Sequence, residues 1–403
     1  MSRLVAGRET CHSVAMTAPY DVVVLGATGF TARLATAHLA RTRPEGLRWA
    51  LAGRSRERLE KARADLVAID PSLADLPIVI VDLTDAAGLG DLAASTKVVI
   101  NATGPYLLHG EPVVRACAEA GTDYVDLTGE PEFVDRMFVL HHATAMASGA
   151  RLVHAAGFDS VPHDLGALHA VTQVPAGEPI ALRGIVTASG GVSGGTLASM
   201  LNAMSRLKQM RVASADRARV EPAASARRSR PVTGRPRRDR VTGHWLLPLP
   251  TVDQQVIARS GAALEEFGPD FTYSHYAGLR RLPVLVGALV GLGVMLGVVQ
   301  VGPLRRLIAA RLPPGTGPDA TTRAASSFTV DFVAEHRSGT SRTRVTGPDP
   351  YDQSGIALAE AALSLAFDDN PQTAGQVTTA QAMGHRLTER LTAHGLRLVV
   401  VKA

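Results

Sequence analysis

The chain has 403 residues, 46% of them hydrophobic, enough for more than one core because single cores stop growing near about 250–300 residues. Gly and Pro are frequent but aperiodic, which excludes a collagen-like or largely disordered chain, and two cysteines, Cys11 and Cys117, exclude a disulfide framework and fit a reducing compartment. The formal net charge is +5, with much of the basic excess between Arg206 and Arg240; no aromatic interrupts Arg211 to Arg240, so single-stranded nucleic acid finds no stacking platform and no nucleic-acid partner is expected.

Residues 1–19 read as an N-terminal extension. Met1 to Ala18 carry no long apolar core and no clear cleavage site, so the expected location is cytoplasmic. Tyr20 to Leu25 is a short β-branched run, as a buried parallel strand requires. It runs into Gly26-Ala27-Thr28-Gly29-Phe30-Thr31-Ala32 and then an amphipathic helical pattern. Further strands are expected at Trp49–Ala52, Ile78–Val81, Val98–Ile100, Tyr124–Leu127 and Leu152–Ala155. Helices are expected between them at Arg56–Ala68, Ala86–Ala94 and Pro112–Glu119, the last stopped by Gly121. Cys117 falls on the apolar face of that third helix and reads as a buried, inert thiol. The alternation implies an α/β class with a Rossmann-type, doubly wound parallel sheet.

After Val161 the rhythm changes. Strands are expected at Ile180–Ala188, Val252–Arg259, Phe271–Tyr276 and Ser327–His336, and helices at Leu197–Met210, Ile356–Phe367 and Ala382–Ala393. This reads as a second, α+β domain. The division is residues 20–175 for dinucleotide binding and 176–403 for substrate, with a solvated basic loop over 211–240. Leu282 to Val301 stands apart. It has no charge, one strongly polar side chain (Gln300), and the length of about 18–20 residues that flags a membrane span. A span, a membrane-dipping or acyl-lining helix, and a buried core helix all remain open. Peripheral membrane contact through 282–301 is the expectation.

The turn at Gly26 is G-x-x-G-x-x-A. Gly26 permits the tight bend, Gly29 removes a side chain where a pyrophosphate approaches backbone, and Ala32 lets the helix pack on the strand. The cofactor-binding set is therefore Gly26, Ala27, Thr28, Gly29, Phe30 and Thr31. After the second strand the chain offers Arg54, Ser55 and Arg58 rather than a diol-binding carboxylate, and a guanidinium there suits the 2′-phosphate of NADP. Asp82 follows the third strand, where it can hold the adenine amine. Asn101, Ala102, Thr103, Gly104 and Pro105 follow the fourth, on the nicotinamide side. Tyr106, Asp126, Glu130 and Asp159 are the candidate catalytic residues on the same sheet edge. Each has a structural alternative: packing for Tyr106, and helix capping for the acids, with Asp159 or Ser160 set to cap a helix beginning at Pro162. No Cys/His spacing resembles a zinc site and no G-x-S-x-G elbow is present, so no metal is expected.

Five stretches together carry a family resemblance. They are Val24-Leu25-Gly26-Ala27-Thr28-Gly29-Phe30-Thr31, Leu51-Ala52-Gly53-Arg54, Val99 to Tyr106, Tyr124 to Glu130, and Gly157-Phe158-Asp159-Ser160-Val161-Pro162-His163-Asp164. In them the chain resembles the saccharopine dehydrogenase-like oxidoreductases, and within these the trans-acting enoyl reductases of actinobacterial lipid synthesis. The likeness resumes at Ser193-Gly194-Gly195-Thr196, Asp253 to Ser260 and Ala382-Met383-Gly384. Thr378-Thr379 stands where the branch often has Thr-Pro, and Ala32 where it often has Gly. The resemblance implies an NAD(P)-binding domain, a second domain that shapes the substrate site, and a lipid-like substrate. It names no catalytic acid. Reduction of a carbon–carbon double bond in a lipid or polyketide is the first reading. A saccharopine-type amino-acid dehydrogenase and a non-catalytic NADP-binding membrane protein are the alternatives.

Overall fold

The computed structural model describes residues 18–189, 205–221, 227–299 and 317–402. Almost all of the N-terminal extension, the Ser193–Thr196 motif and the last two residues of the apolar segment lie outside these. Seven strands build the first sheet: β1 (Tyr20–Leu25), β2 (Trp49–Gly53), β3 (Ile78–Ile80), β4 (Thr96–Asn101), β5 (Asp123–Asp126), β6 (Arg151–Val153) and β14 (Gly375–Val377). Their order is β14-β6-β5-β4-β1-β2-β3, with every pair parallel. Val22, Val23 and Val24 are wholly buried, so β1 is covered on both faces, as its uninterrupted valines require. The strand order reverses between β1 and β4, which opens a crevice at their carboxyl ends, where Leu25 pairs with Asn101.

The helices of this layer are α1 (Phe30–Thr42), α2 (Arg56–Val67), α3 (Ala86–Ala94), α4 (Tyr106–His109), α5 (Glu111–Ala120), α6 (Pro131–Ser148) and α7 (Val161–Val171). Gly121 ends α5 at φ +73, a left-handed position that suits glycine. Burial pushes the Cys117 thiol up, so it is an inert packing group.

The second sheet is mixed. It contains β7 (Ile180–Ala188), β8 (Arg228–Pro231), β9 (Arg237–Arg238), β10 (Trp245–Pro248), β11 (Asp270–Leu279), β12 (Phe328–His336), β13 (Gly339–Gly347) and β15 (Arg397–Val400). The order is β15-β13-β12-β7-β11-β10-β9, with β8 also on β11. The remaining helices are α8 (Leu207–Val220), α9 (Asp253–Ala263), α10 (Leu282–Val299), α11 (Ala320–Ala324), α12 (Pro350–Phe367), α13 (Thr379–Ala382) and α14 (Gly384–Ala393).

Three expectations change. Val252–Arg259 is helical, not extended: Val252, Val256, Ile257 and Ser260 are buried at helical spacing and make one face of α9. The basic stretch is not one loop, because α8 and the short strands β8 and β9 occupy it. Arg217 is buried in α8, where Asp135 lies 3.5 Å and Glu221 2.7 Å away. The boundary at 175/176 does not separate the layers. The chain returns after residue 349, packs α12 on α1 and adds β14 beside β6. Gly355 makes that return possible, since a Cβ there would stand 2.7 Å from the Leu34 Cβ. One hydrophobic cluster accordingly runs from Val22 through Leu165 to Phe332 and Leu358.

For the apolar segment the structure narrows the open alternatives. α10 is not a core helix, because most of its side chains are exposed. It does not pass the chain across a bilayer either: β12, which follows it, pairs with β7, which precedes it. Among the described residues no helix is long and apolar enough to cross a membrane.

Candidate cofactor and active site

The turn between β1 and α1 is shaped for an anion. Gly26 sits at φ +79, and a Cβ on it would meet Thr103 Cγ2 at 2.8 Å and the Ala102 backbone at 3.0 Å, so glycine is required by the fold itself. Gly29 differs. Its φ is −70 and a Cβ would meet only ordinary contacts, the nearest at 3.4 Å. Gly29 is also the N-cap of α1, which has neither a side-chain cap nor an acidic residue in its first turn. The first amides of α1 therefore remain available to a pyrophosphate, assisted by the helix dipole. Ala32 is buried against the sheet, as a small residue must be. The Phe30 ring packs edge-on to Tyr351 at 5.5 Å and ties this end of α1 to α12.

Arg54 and Arg58 are exposed at the end of β2 and enter no ion pair with a described residue, which leaves both guanidinium groups open to a phosphate. Ser55 caps α2, accepting from the Arg58 amide at 3.4 Å. Asp82 is exposed, and one of its oxygens accepts from the Thr84 hydroxyl and amide. Those bonds, with Arg54 nearby, hold its carboxyl below the usual range. Asn101 shapes the next loop rather than reaching outward. It is buried, donates to the Tyr124 hydroxyl at 3.0 Å and accepts from both the Thr103 amide and hydroxyl. Ala102, Gly104 and Pro105 complete that loop opposite Gly26.

The four candidate acids and bases separate sharply. Tyr106 is buried. Its hydroxyl donates to the Asn101 carbonyl at 3.0 Å and its amide donates to Glu130. Glu130 uses its two oxygens on the Tyr106 and Leu107 amides, capping α4 from across the sheet edge. Asp126 accepts from the Tyr124 hydroxyl, the Thr128 amide, His154 Nδ1 and the Ala155 amide, a saturated set that fixes the loops after β5 and β6. These three are corrections: they build the edge and leave no face for a substrate. Asp159 does not share their fate. It makes no hydrogen bond to a described residue, and α7 begins after Ser160 without any side-chain cap, so the capping alternative fails for both residues. Asp159 is exposed on its solvent side, and protein, Asp253 included, lies close around the rest of its carboxyl. Desolvation and that second carboxyl push it up to about 6.

Comparison with known proteins decides what this edge belongs to. The family model described as the saccharopine dehydrogenase NADP binding domain matches residues 22–151. A Mycobacterium tuberculosis protein named as a trans-acting enoyl reductase is 35% identical over 412 residues, covering 94% of this chain and 97% of the relative. The chain belongs to the saccharopine dehydrogenase-like oxidoreductases, in the trans-acting enoyl reductase branch. A trans-acting enoyl reductase of Mycobacterium bovis is 34% identical over 419 residues, covering 94% and 96% of the two chains. Among solved structures, saccharopine dehydrogenase (L-Glu forming) from Saccharomyces cerevisiae superposes with a TM-score of 0.58 at 14% identity over 95% of this chain and 100% of that one, a likeness of fold. The cofactor of this oxidoreductase is NADP.

Sequence reasoning missed the residues that surround Asp159. His163, one turn into α7, is buried. Its Nδ1 lies 3.1 Å from the Phe158 carbonyl, which can only accept, so Nδ1 carries the proton. Nε2 is then a bare acceptor and has no partner. Burial lowers its pKa to about 4 and keeps the ring neutral. Asp253, at the start of α9, accepts from the Thr251 hydroxyl at 2.5 Å and has His275 Nε2 at 3.7 Å. The signal available in the sequence was an acidic residue beside the apolar face of Val252, Val256 and Ser260. Among the described residues one group with metal-ligand spacing also occurs, His38, Glu360 and His394. Glu360 is engaged there by both histidines and by Arg390, and His38 lies about two helical turns from the glycine loop.

Asp253 gives a stability prediction. Burial pushes its carboxyl up to about 7, whereas an unfolded Asp ionises near about 3.9. The folded chain thus holds this proton more tightly. Its contribution is fully present below about pH 4 and is lost as pH rises through about 7. Asp253→Asn should therefore raise the melting temperature relative to the parent at pH 8, by a few kcal/mol of stability, and give no gain near pH 4. Calorimetry at the two pH values checks this. Equal destabilisation at both would mean that the carboxylate is ionised and favourably paired in the fold.

Proposed function

We propose that the chain is an NADPH-dependent reductase of a carbon–carbon double bond in a lipid or polyketide-type acyl substrate, acting at the cytoplasmic face of the membrane. The observation that carries the reading is the pairing, on one sheet edge, of an open anion-binding turn with Asp159, the one candidate acid left without a hydrogen bond. The names of the relatives supply the substrate class. When bound at this edge, NADPH supplies a hydride to one carbon of the double bond. Asp159 holds the proton that the other carbon must receive, and desolvation by the surrounding protein keeps that proton in place up to about pH 6.

A saccharopine-type substrate carries several carboxylates and needs open guanidinium groups. The buried arginines of the second layer are already paired: Arg183 with Asp239 and Glu335, Arg217 with Asp135 and Glu221, Arg259 with Asp135. The pairing of these guanidinium groups supports an uncharged acyl substrate over an amino acid. The experiment is NADPH oxidation with α,β-unsaturated acyl thioesters compared with saccharopine. Turnover with the thioesters alone is expected, and turnover with saccharopine alone would transfer the reading to the amino-acid dehydrogenases.

A further inference from the structure

The helix α10 has no counterpart in the chemistry above. It is 18 residues long, or about 27 Å, and contains no charged residue. Leu282, Val284, Val286, Leu289, Val290, Leu292 and Val294 are all exposed, the two valines at 290 and 294 by 62% and 61%. At 3.6 residues per turn these seven positions lie around the whole circumference, not along one stripe. A Cβ added at Gly287, Gly291, Gly293 or Gly297 would meet nothing within 4 Å. Leu285, at 4% exposure, is the buried anchor, and the root of the helix packs on β10 and β11. The helix therefore stands off the body as an apolar rod.

Its base is basic. Arg280 and Arg281 precede α10 directly and are exposed. In the adjoining sheet Leu279 pairs with Trp245, and Trp245 pairs with Arg238, so Arg237 and Arg238 line the same edge two strands away. None of the four arginines forms an ion pair with a described residue. Trp245 is half-buried between them, a placement that suits an indole at the level of lipid headgroups.

The geometry points to α10 as a docking element for an anionic phospholipid surface, inserted into the bilayer hydrocarbon with Arg237, Arg238, Arg280 and Arg281 at the headgroups of the near face. A protein groove covers one face of a helix, whereas acyl chains cover all of them, and here every face is apolar. The ring of unpaired arginines at the base matches anionic headgroups in charge. The return of the chain to β12 confines the contact to one side of the bilayer, since the strands before and after α10 share one sheet.

The test is flotation of the full chain with phosphatidylcholine vesicles and with vesicles containing 30% phosphatidylglycerol. Binding to the anionic vesicles is expected, weakening as salt is raised. The double substitution Val290→Asp/Val294→Asp lies on exposed positions away from the cofactor turn. It should lower partitioning at least tenfold and leave NADPH affinity unchanged, which also shows that the variant is folded. Arg280→Glu/Arg281→Glu should abolish the preference for anionic lipid. Absence of flotation, or flotation equal in the valine variant, would overturn the assignment. So would a lipid-free dimer that the valine substitutions dissociate, because a second copy would then cover the helix.

Discussion

Replacing Asp159 by Asn lowers kcat by about 10²–10⁴-fold and leaves NADPH affinity within about twofold, if Asp159 donates the proton. The substitution keeps the shape of the side chain and removes the proton. The parent needs Asp159 protonated, and its carboxyl titrates near about 6, so kcat should fall about tenfold per pH unit above that value. The Asn variant should lose this limb and show a flat, low profile. Asp253→Asn supplies a second arm. Asp253 holds its own proton to about pH 7 and is neutral where Asp159 titrates, so in this variant the falling limb should stay near pH 6 while activity at acid pH survives. An Asp159→Asn enzyme with the parental rate and profile would show that the proton comes from solvent or from another group.

Gly29→Val abolishes NADPH binding without unfolding the chain. The two glycines of the turn do different work, and the structure separates them. A side chain at Gly26 would collide with Ala102 and Thr103 and would force a left-handed backbone onto a β-branched residue, so a Gly26 variant tests folding. Gly29 has an ordinary φ and room for a Cβ, so a side chain there obstructs chiefly the anion that α1 is built to meet. Loss of affinity by at least 100-fold is expected, with the far-ultraviolet dichroism and melting temperature near those of the parent. Arg54→Ala should cost about 10–100-fold in NADPH affinity, as a charge-assisted phosphate contact does, and leave NADH affinity unchanged. Titration by fluorescence transfer from protein to nicotinamide reads both. Unchanged NADPH affinity in the Gly29 variant would reduce the turn to a structural bend.

Much of the cofactor half was legible because its signals are local. A run such as Tyr20–Leu25 followed by two glycines and a helix carries strand, turn and helix start within thirteen residues. Arg54 is read as a phosphate contact from its place after β2. The strands that went unread are those whose signal is not local. Gly339–Gly347 is polar and rich in Thr and Arg, and extends only because β12 and β15 flank it. Gly375–Val377 is three residues long and joins the first sheet from the far end of the chain. Val252–Arg259 contains β-branched residues that favour a strand, yet its buried positions repeat at helical spacing, and packing against β11 and α7 decided the outcome.

The active site divides along the same line. A carboxylate at the end of a strand is visible in sequence, but whether it is saturated is a tertiary property. Asp126 and Glu130 spend their oxygens on amides and side chains from other loops, while Asp159, two residues before α7, spends none on the described chain. Asp253 and Asp159 are 94 positions apart, so no spacing rule joins them. They meet because α9 and α7 pack together. The apolar segment was legible as composition, and its exposure was not.

The central claim is hydride transfer from NADPH to a carbon–carbon double bond, and isotope tracing tests it most directly. The chain would be incubated with an α,β-unsaturated acyl thioester and NADPH deuterated at the transferable position, and the product weighed by mass spectrometry. The account predicts one deuterium in the saturated acyl product for each NADPH consumed, with the second hydrogen drawn from solvent. NADPH consumption without a saturated product, or a saturated product that carries no deuterium, would contradict it.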